Sequence, residues 1–295
     1  MMPRLVIFFS LLLLGHAGPV PAAAGSDPMA REYRRMSAKG YEPEKKASAR
    51  VPGGRLVAVN YGKAGGGSWL NVYRVDRDRA RLLHMKPGSS LDISLASIHH
   101  KGRIPDLAGD GSRIIAYRIV FPGIGQEKLA VYRYARGKLS RVETLPYGRF
   151  EDLDGDGSQE IVSRSQPLGQ FFMLGCESSV KMTQTAFRTR VYAWRKGRLV
   201  RSSVDYPEFY DRHIRELRED IAALNPRSTK TDPGAYMGLG LAVYFDHEEL
   251  GQGRRGWREF LDLSPVRKSD PSRAKRCVQK TERELRKRLR IPGDW

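Results

Sequence analysis

With 295 residues, 40% of them hydrophobic, the chain is long enough for one large domain or two ordinary ones and apolar enough to bury a sizeable core. Its 52 lysines and arginines against 33 aspartates and glutamates give a formal charge of +19, which favours acidic surroundings: anionic lipid headgroups, phosphorylated or uronic glycans, or nucleic acid met outside the cell. Beyond the first residues no stretch is both long and apolar enough to span a bilayer, which takes roughly 20 residues, and this excludes a membrane-spanning mature chain.

Residues 1–24 read as a secretory signal peptide: Arg4 near the start, an apolar run from Leu5 to Leu14, and the small-residue site Ala22-Ala23-Ala24. The mature protein is then expected to begin near Gly25 and to be exported, periplasmic or secreted. In an oxidising compartment its two cysteines, Cys176 and Cys277, are candidates for a disulfide. On the chain-entropy account such a bridge closes a loop of about 100 residues and contributes on the order of 4 to 5 kcal/mol. The alternative is two buried thiols.

Residues 25–54 are polar and contain proline, so they are expected to form a flexible lead-in with one helical turn near Met29 to Met36. From Arg55 to about Val204 short runs rich in Val, Ile and Tyr alternate with Gly, Asp and Pro, the pattern of consecutive strands. The strand groups begin near Arg55, Arg113 and Gln159. Within them Asn71-Val72-Tyr73-Arg74, Ala130-Val131-Tyr132-Arg133 and Arg190-Val191-Tyr192-Ala193 recur 59 and then 60 residues apart. Each leads to a polar turn, Arg77-Asp78, Arg136-Gly137 or Lys196-Gly197, and a further strand. In the last two copies the glycine fits a hairpin turn that needs positive φ.

A second repeat interleaves with the first. Asp106-Leu107-Ala108-Gly109-Asp110-Gly111-Ser112 precedes Ile114-Ile115, just as Asp152-Leu153-Asp154-Gly155-Asp156-Gly157-Ser158 precedes Ile161-Val162. Carboxylates at Asp152, Asp154 and Asp156, with Glu160 four residues on, alternate along a tight turn so that hard oxygen ligands can converge on one cation. Without a cation or nearby arginines they would repel one another, and Arg149 and Arg164 offer partial relief. An EF-hand is rejected, because its twelfth position would be Ser163 where a bidentate Glu is needed and because Ile161-Val162 continues as strand. The competing reading is an acidic β-turn with solvated or arginine-paired carboxylates.

On these residues the sequence resembles the FG-GAP or VCBS class of repeat, whose acidic loop opens a β-sheet blade and, in calcium-binding members, holds the metal. The resemblance implies calcium at Asp152, Asp154, Asp156 and Glu160, with Ser158 offering its backbone carbonyl. In the earlier copy Ala108 and Ile114 stand at two ligand positions, so that loop is expected to keep the turn and not the ion. It also implies a propeller-derived antiparallel domain over 55–205, here of three sheet units and so an incomplete propeller whose edges the lead-in, the helical part or another chain must cover; a β-sandwich of the same strands is the alternative. The insertion that carries Phe171, Phe172 and Met173 is apolar enough to be packed, or to line a ligand cleft.

After Tyr206 the period becomes helical, giving an α-helical domain over 206–295 and an α+β, two-domain chain. Ile214, Leu217, Ile221 and Leu224 form one apolar face behind Pro207, with His213 beside it. A second helix carries Tyr236, Leu239, Gly240, Val243 and Tyr244, and a third Trp257, Phe260 and Leu261. These two resemble a single tetratricopeptide-type hairpin, implying helix packing and a protein-binding groove. The last helix turns Ala274, Val278, Thr281, Leu285 and Leu289 inward. Outside it carries Arg273, Lys275, Arg276, Lys280, Arg283, Arg286, Lys287, Arg288 and Arg290, the densest positive strip and a candidate surface for an anionic partner.

No nucleophile elbow, phosphate loop, paired metal-binding histidines, CxxC pair or dedicated nucleic-acid motif is present. His99 and His100 are adjacent and, on a strand, point to opposite faces. The expected function is therefore an exported, non-enzymatic calcium-binding repeat protein, a binding or structural component of the cell envelope whose partner is a protein or an anionic glycan or lipid headgroup. The alternative is a periplasmic hydrolase acting on an anionic glycan or phosphoester, which a pocket joining a carboxylate to a base across the two domains would favour.

Overall fold

The computed structural model describes residues 27–88, 90–123, 125–169, 179–224, 233–263 and 272–295. The signal segment, Cys176, and the aromatic insertion at Phe171 and Phe172 lie outside the described residues, as does the side chain of Cys277. Helix α1 (Pro28–Ser37) is capped by Asp27, whose carboxylate accepts the Met29 N–H at 3.1 Å. Three four-stranded antiparallel meanders follow in chain order. The first holds β1 (Tyr41–Val51), β2 (Gly54–Lys63), β3 (Ser68–Val75) and β4 (Ala80–Gly88). The second holds β5 (Asp92–Leu95), β6 (Arg113–Phe121), β7 (Gln126–Ala135) and β8 (Lys138–Pro146), and the third β9 (Gly148–Glu151), β10 (Glu160–Ser165), β11 (Arg188–Arg195) and β12 (Arg198–Arg201).

Each sheet begins one strand earlier than the apolar pattern indicates, and within 25–54, expected as a flexible lead-in with one helical turn, Pro28–Ser37 is a full helix and Tyr41–Val51 a strand. The reason is visible in β1, where only Ala47 is buried. Its ladder to β2 is made by the backbone, so its charged side chains leave no apolar alternation to read. The repeated segments are the third strands β3, β7 and β11. Their hairpin turns carry φ of 50° and 78° at Arg136 and Gly137, and 49° and 73° at Lys196 and Gly197, the double positive φ of a two-residue turn matched to strand twist.

The sheets stack face to face, because side chains alternate between opposite faces along a strand. Leu56, Ala58, Leu70 and Val72 meet Ile93, Ile115 and Tyr117 of the second sheet, whereas Val57, Val59, Tyr61 and Tyr73 meet Met29 and Met36 of α1. Ile114, Ala116, Leu129 and Val131 pack in turn on Phe150 and Ile161 of the third sheet. The far face of that sheet, Val162, Val191 and Ala193, is covered by Tyr206, Phe209 and Tyr210. Helices thus close both ends of the stack.

The helical part comprises α2 (Ser179–Thr185), α3 (Pro207–Ala223), α4 (Pro233–Glu249), α5 (Gly253–Leu263) and α6 (Ser272–Leu289). Ile214, Leu217 and Ile221 pack on Ala242 and Val243, as the stripe on α3 implies. Helix α4 is buried on nearly every side from Leu241 to His247 and forms the centre, with Trp257, Phe260 and Leu285 against it. It runs to Glu249, so the link to α5 is only residues 250–252. Close approach needs glycine here: a Cβ on Gly238 would stand 1.8 Å from Thr185 Oγ1, and one on Gly256 would stand 2.6 Å from His247 Cβ. Among the described residues no helix is long and apolar enough to cross a membrane.

Candidate functional site

The acidic loops occupy matching places, between the first and second strands of the second and third sheets. In the third sheet, ligand oxygens of Asp152, Asp154 and Asp156 lie within 4.8 Å of one another, and all three residues are exposed. The backbone holds them there. Asp152 accepts N–H bonds from Gly155 at 2.8 Å and Gly157 at 3.1 Å, Asp154 accepts from Asp156 at 3.2 Å, and Asp156 accepts from Ser158 at 2.6 Å. Gly155 and Gly157 have φ of 76° and 85°, a backbone that L side chains resist, and Gly109 and Gly111 match them at 68° and 79°. Glu160, an expected ligand, is not in the converging group: it is buried and its Oε2 accepts the Leu153 N–H at 3.1 Å, tying the loop to β10.

The two loops differ in what balances their charge. Arg133 of β7 pairs with Asp110 directly, and Arg113 lies 3.9 Å from Asp106. Hydrogen bonds from Ser112, together with the Arg133 guanidinium, hold the Asp110 carboxyl below the usual carboxylate range. In the third sheet the positions matching Arg113 and Arg133 are Gln159 and Ala193. Among the described residues none of Asp152, Asp154 and Asp156 has a cationic side chain within ion-pair distance; Arg149, the nearby arginine in sequence, pairs with Glu151 at 2.9 Å. One loop contains its own cation and the other leaves three carboxylates facing one another.

The basic strip of α6 divides. Arg283, Lys287, Arg288 and Arg290 are exposed, Arg288 also donating to the Leu168 carbonyl at 3.3 Å, but Arg286 is half-buried, donates to the Pro292 and Trp295 carbonyls and stacks 5.1 Å from the Trp257 ring centre. Arg286 and Arg288 hold the chain terminus and a loop in place. Lys280 is half-buried, and the side chains of Arg273, Lys275 and Arg276 lie outside the described residues.

A cavity of about 820 Å³ opens where the first strands of the three sheets face one another, lined by Lys45 and Lys46 of β1, Ser94 and Leu95 of β5, and Arg149 and Phe150 of β9. Arg118 and Glu127 in its wall form a bidentate pair at 2.7 and 2.5 Å. His99 lies at its edge, at the end of a 3₁₀ turn and not on a strand. Both of its ring nitrogens are committed, Nδ1–H to the Arg103 carbonyl at 3.0 Å and Nε2 to the Ala116 N–H at 3.1 Å. Burial pulls its pKa down to about 4, so it is a neutral structural histidine. His100 bonds separately to the Ser97 carbonyl.

A third assembly was invisible in the sequence. His213 Nδ1 lies 2.6 Å from Asp246 Oδ2, and His213 Nε2 lies 3.3 Å from Arg164 Nη2. Because arginine can only donate, Nε2 carries the lone pair and Nδ1–H donates to the carboxylate. Asp246 is fully buried with Oδ1 unbonded, and burial pushes its carboxyl up despite His213. The three residues come from β10, α3 and α4, so no local motif announces them. A cavity of about 270 Å³ beside them is lined by His213, Glu216, Asp220 and Thr185, and Arg164 separates it from the larger one.

No protein-family model, curated protein or solved structure matches the chain.

Proposed function

We propose that the chain is an exported, non-enzymatic calcium-binding repeat protein, a binding or structural component of the cell envelope built on propeller-derived β repeats of the FG-GAP or VCBS kind. The observation that carries the reading is the contrast between the twin loops. A protein that replaces the cation of one loop with Arg133, and leaves Gln159 and Ala193 at the matching places of the other, retains the second loop for an external ion. An all-oxygen donor set of three carboxylates suits a hard cation such as calcium, with backbone carbonyls and water completing six to eight ligands. Asp152, Asp154 and Asp156 would hold it, and its role is to fix the β9–β10 connection. The positive surface and the cationic cavity support an anionic partner. Calcium titration by calorimetry should give one site in the native chain and none in Asp154→Ala; equal heats from both would overturn the assignment.

A second reading, a hydrolase of an anionic glycan or phosphoester, is favoured by the Asp246–His213 pair within the helical part, which has the geometry of an oriented base. Against it, the lone pair of His213 is occupied by Arg164, and the Thr185 hydroxyl in that cavity bonds to the Ala235 carbonyl at 3.3 Å. Phosphatase or glycosidase activity that disappears in His213→Ala would establish this reading over the first.

A further inference from the structure

The cavity between the sheets has a charge balance that no internal partner explains. Five cationic residues, Lys45, Lys46, Arg118, Arg149 and Arg164, line it with one carboxylate, Glu127. Glu127 is consumed by Arg118, and Arg149 turns to Glu151. Among the described residues Lys45 has no carboxylate within ion-pair distance, whereas Lys46, the next residue on β1, turns to the opposite face, where its ammonium lies 5.2 Å from the Tyr33 ring centre of α1. Arg164 is the sharpest case. It is half-buried, its Nε is shut off from solvent with no acceptor, and among the described residues its side chain bonds to the His213 ring and not to a carboxylate. Burial and the neighbouring Arg149 disfavour its charge, and Asp246, Glu216 and Glu151, none within ion-pair distance of it, offset this only in part. A half-buried guanidinium without a directly bonded carboxylate is better held when an anion completes it.

The same wall carries Tyr147 and Phe187, ring centres 6.1 Å apart and edge to face. Tyr147 holds a φ of 43°, unusual for a bulky residue, and its hydroxyl donates to the Gly125 carbonyl at 2.9 Å. Strain of this kind is kept where surrounding structure requires a side chain in one place, and it clusters at ligand sites. Aromatic faces beside unpaired cations suit a ring that carries an acidic group, and a volume of about 820 Å³ lies in the usual range for small-molecule sites, roughly 300 to 1,000 Å³.

We propose that this cavity binds an acidic saccharide, its carboxylate or phosphate held by Arg164 together with Lys45 and its ring against Tyr147 and Phe187. The inference rests on the binding role proposed above and is independent of the calcium loop. The test is calorimetric titration of the full chain with glucuronate, glucose 6-phosphate and neutral glucose. One or both acids should bind and glucose should not, and whichever acid binds identifies a uronic or a phosphorylated glycan as the source. Affinity should fall at least tenfold in Arg164→Gln and in Lys45→Gln, and should be unchanged in Lys46→Gln on the opposite face of β1 and in Lys287→Gln on the exposed face of α6. Lys45 is exposed, so its variant folds even if Arg164→Gln does not, and it then decides the question. Binding unchanged in Lys45→Gln overturns the cavity assignment and leaves the binding role standing. Glucose binding as tightly as the acids overturns the anionic class; binding by none of the three overturns the site, while the calcium titration judges the broader reading separately.

Discussion

Acidification should unfold the second sheet through one residue, His99. Its imidazole is buried and has both nitrogens bonded, so a proton on Nε2 would set an N–H against the N–H of Ala116 and cost the ring its only acceptor. The folded-state pKa is about 4, against about 6.5 in the unfolded chain. Since the folded value is the lower, the unfolded state binds more protons between these limits. The stabilisation is complete above pH 6.5 and lost as pH falls to 4. The slope approaches about 1.4 kcal/mol per pH unit, and the whole gap is worth about 3 kcal/mol. The window is distinct from that of Glu259, whose carboxylate accepts from His247 and Arg218 and is held down to about 2, so that its contribution fades only below about pH 4.5. Urea unfolding of the native chain and His99→Gln at pH 7, 6, 5 and 4.5 separates the two. The native protein should lose stability across this range and the variant, weaker at pH 7, should lose markedly less. Parallel curves would refute the reasoning.

Other perturbations test how the helices hold the sheets. Glu249, at the end of α4, is fully buried and lies 2.5 Å from Arg201, 3.3 Å from Arg190 and 2.9 Å from the Ser203 hydroxyl. Glu249→Ala should cost about 3 kcal/mol, the low end of the 3 to 5 expected for breaking a buried pair because Arg201 is half exposed and can turn to water. Thermal melting should show it, and Glu249→Gln, which keeps an acceptor, should lose less. Gly238→Ala would gain roughly 1 kcal/mol of helix propensity but drive a methyl into Thr185 Oγ1 and, at 2.7 Å, the Met182 carbonyl, so chemical denaturation should reveal a net loss of about 1 kcal/mol or more. A stabilised variant would show that α2 moves aside freely.

Much of this architecture is local and therefore legible. The turn glycines 137 and 197 announce their hairpins because positive φ is a property of the residue itself, and the α3 stripe announces its helix by spacing. Strands β1, β5 and β9 escape because they are edge strands, short or charged, whose pairing is written in the backbone of a neighbour. The aspartate cluster is likewise local. The cation that balances its twin is not: Arg133 reaches Asp110 from 23 residues away, and His213 meets Arg164 and Asp246 across 49 and 33. Helical spacing places His213 beside the α3 stripe, where a histidine is more often exposed or packed, and says nothing of its partners. On α6 helical spacing assigns both Arg286 and Arg288 to the outside; Arg288 is exposed and also reaches the Leu168 carbonyl, whereas Arg286 is half-buried where the terminal segment folds back to meet it.

The central claim is that Asp152, Asp154 and Asp156 retain a cation that the twin loop has replaced with Arg133. Melting temperature in calcium and in chelator, measured over several calcium concentrations for the native chain and for Asp154→Ala, tests it most directly. At a hundred times the dissociation constant, linkage predicts a gain of about 2.7 kcal/mol in the native chain and none in the variant. Superimposable melting curves for the native chain with and without calcium would contradict it.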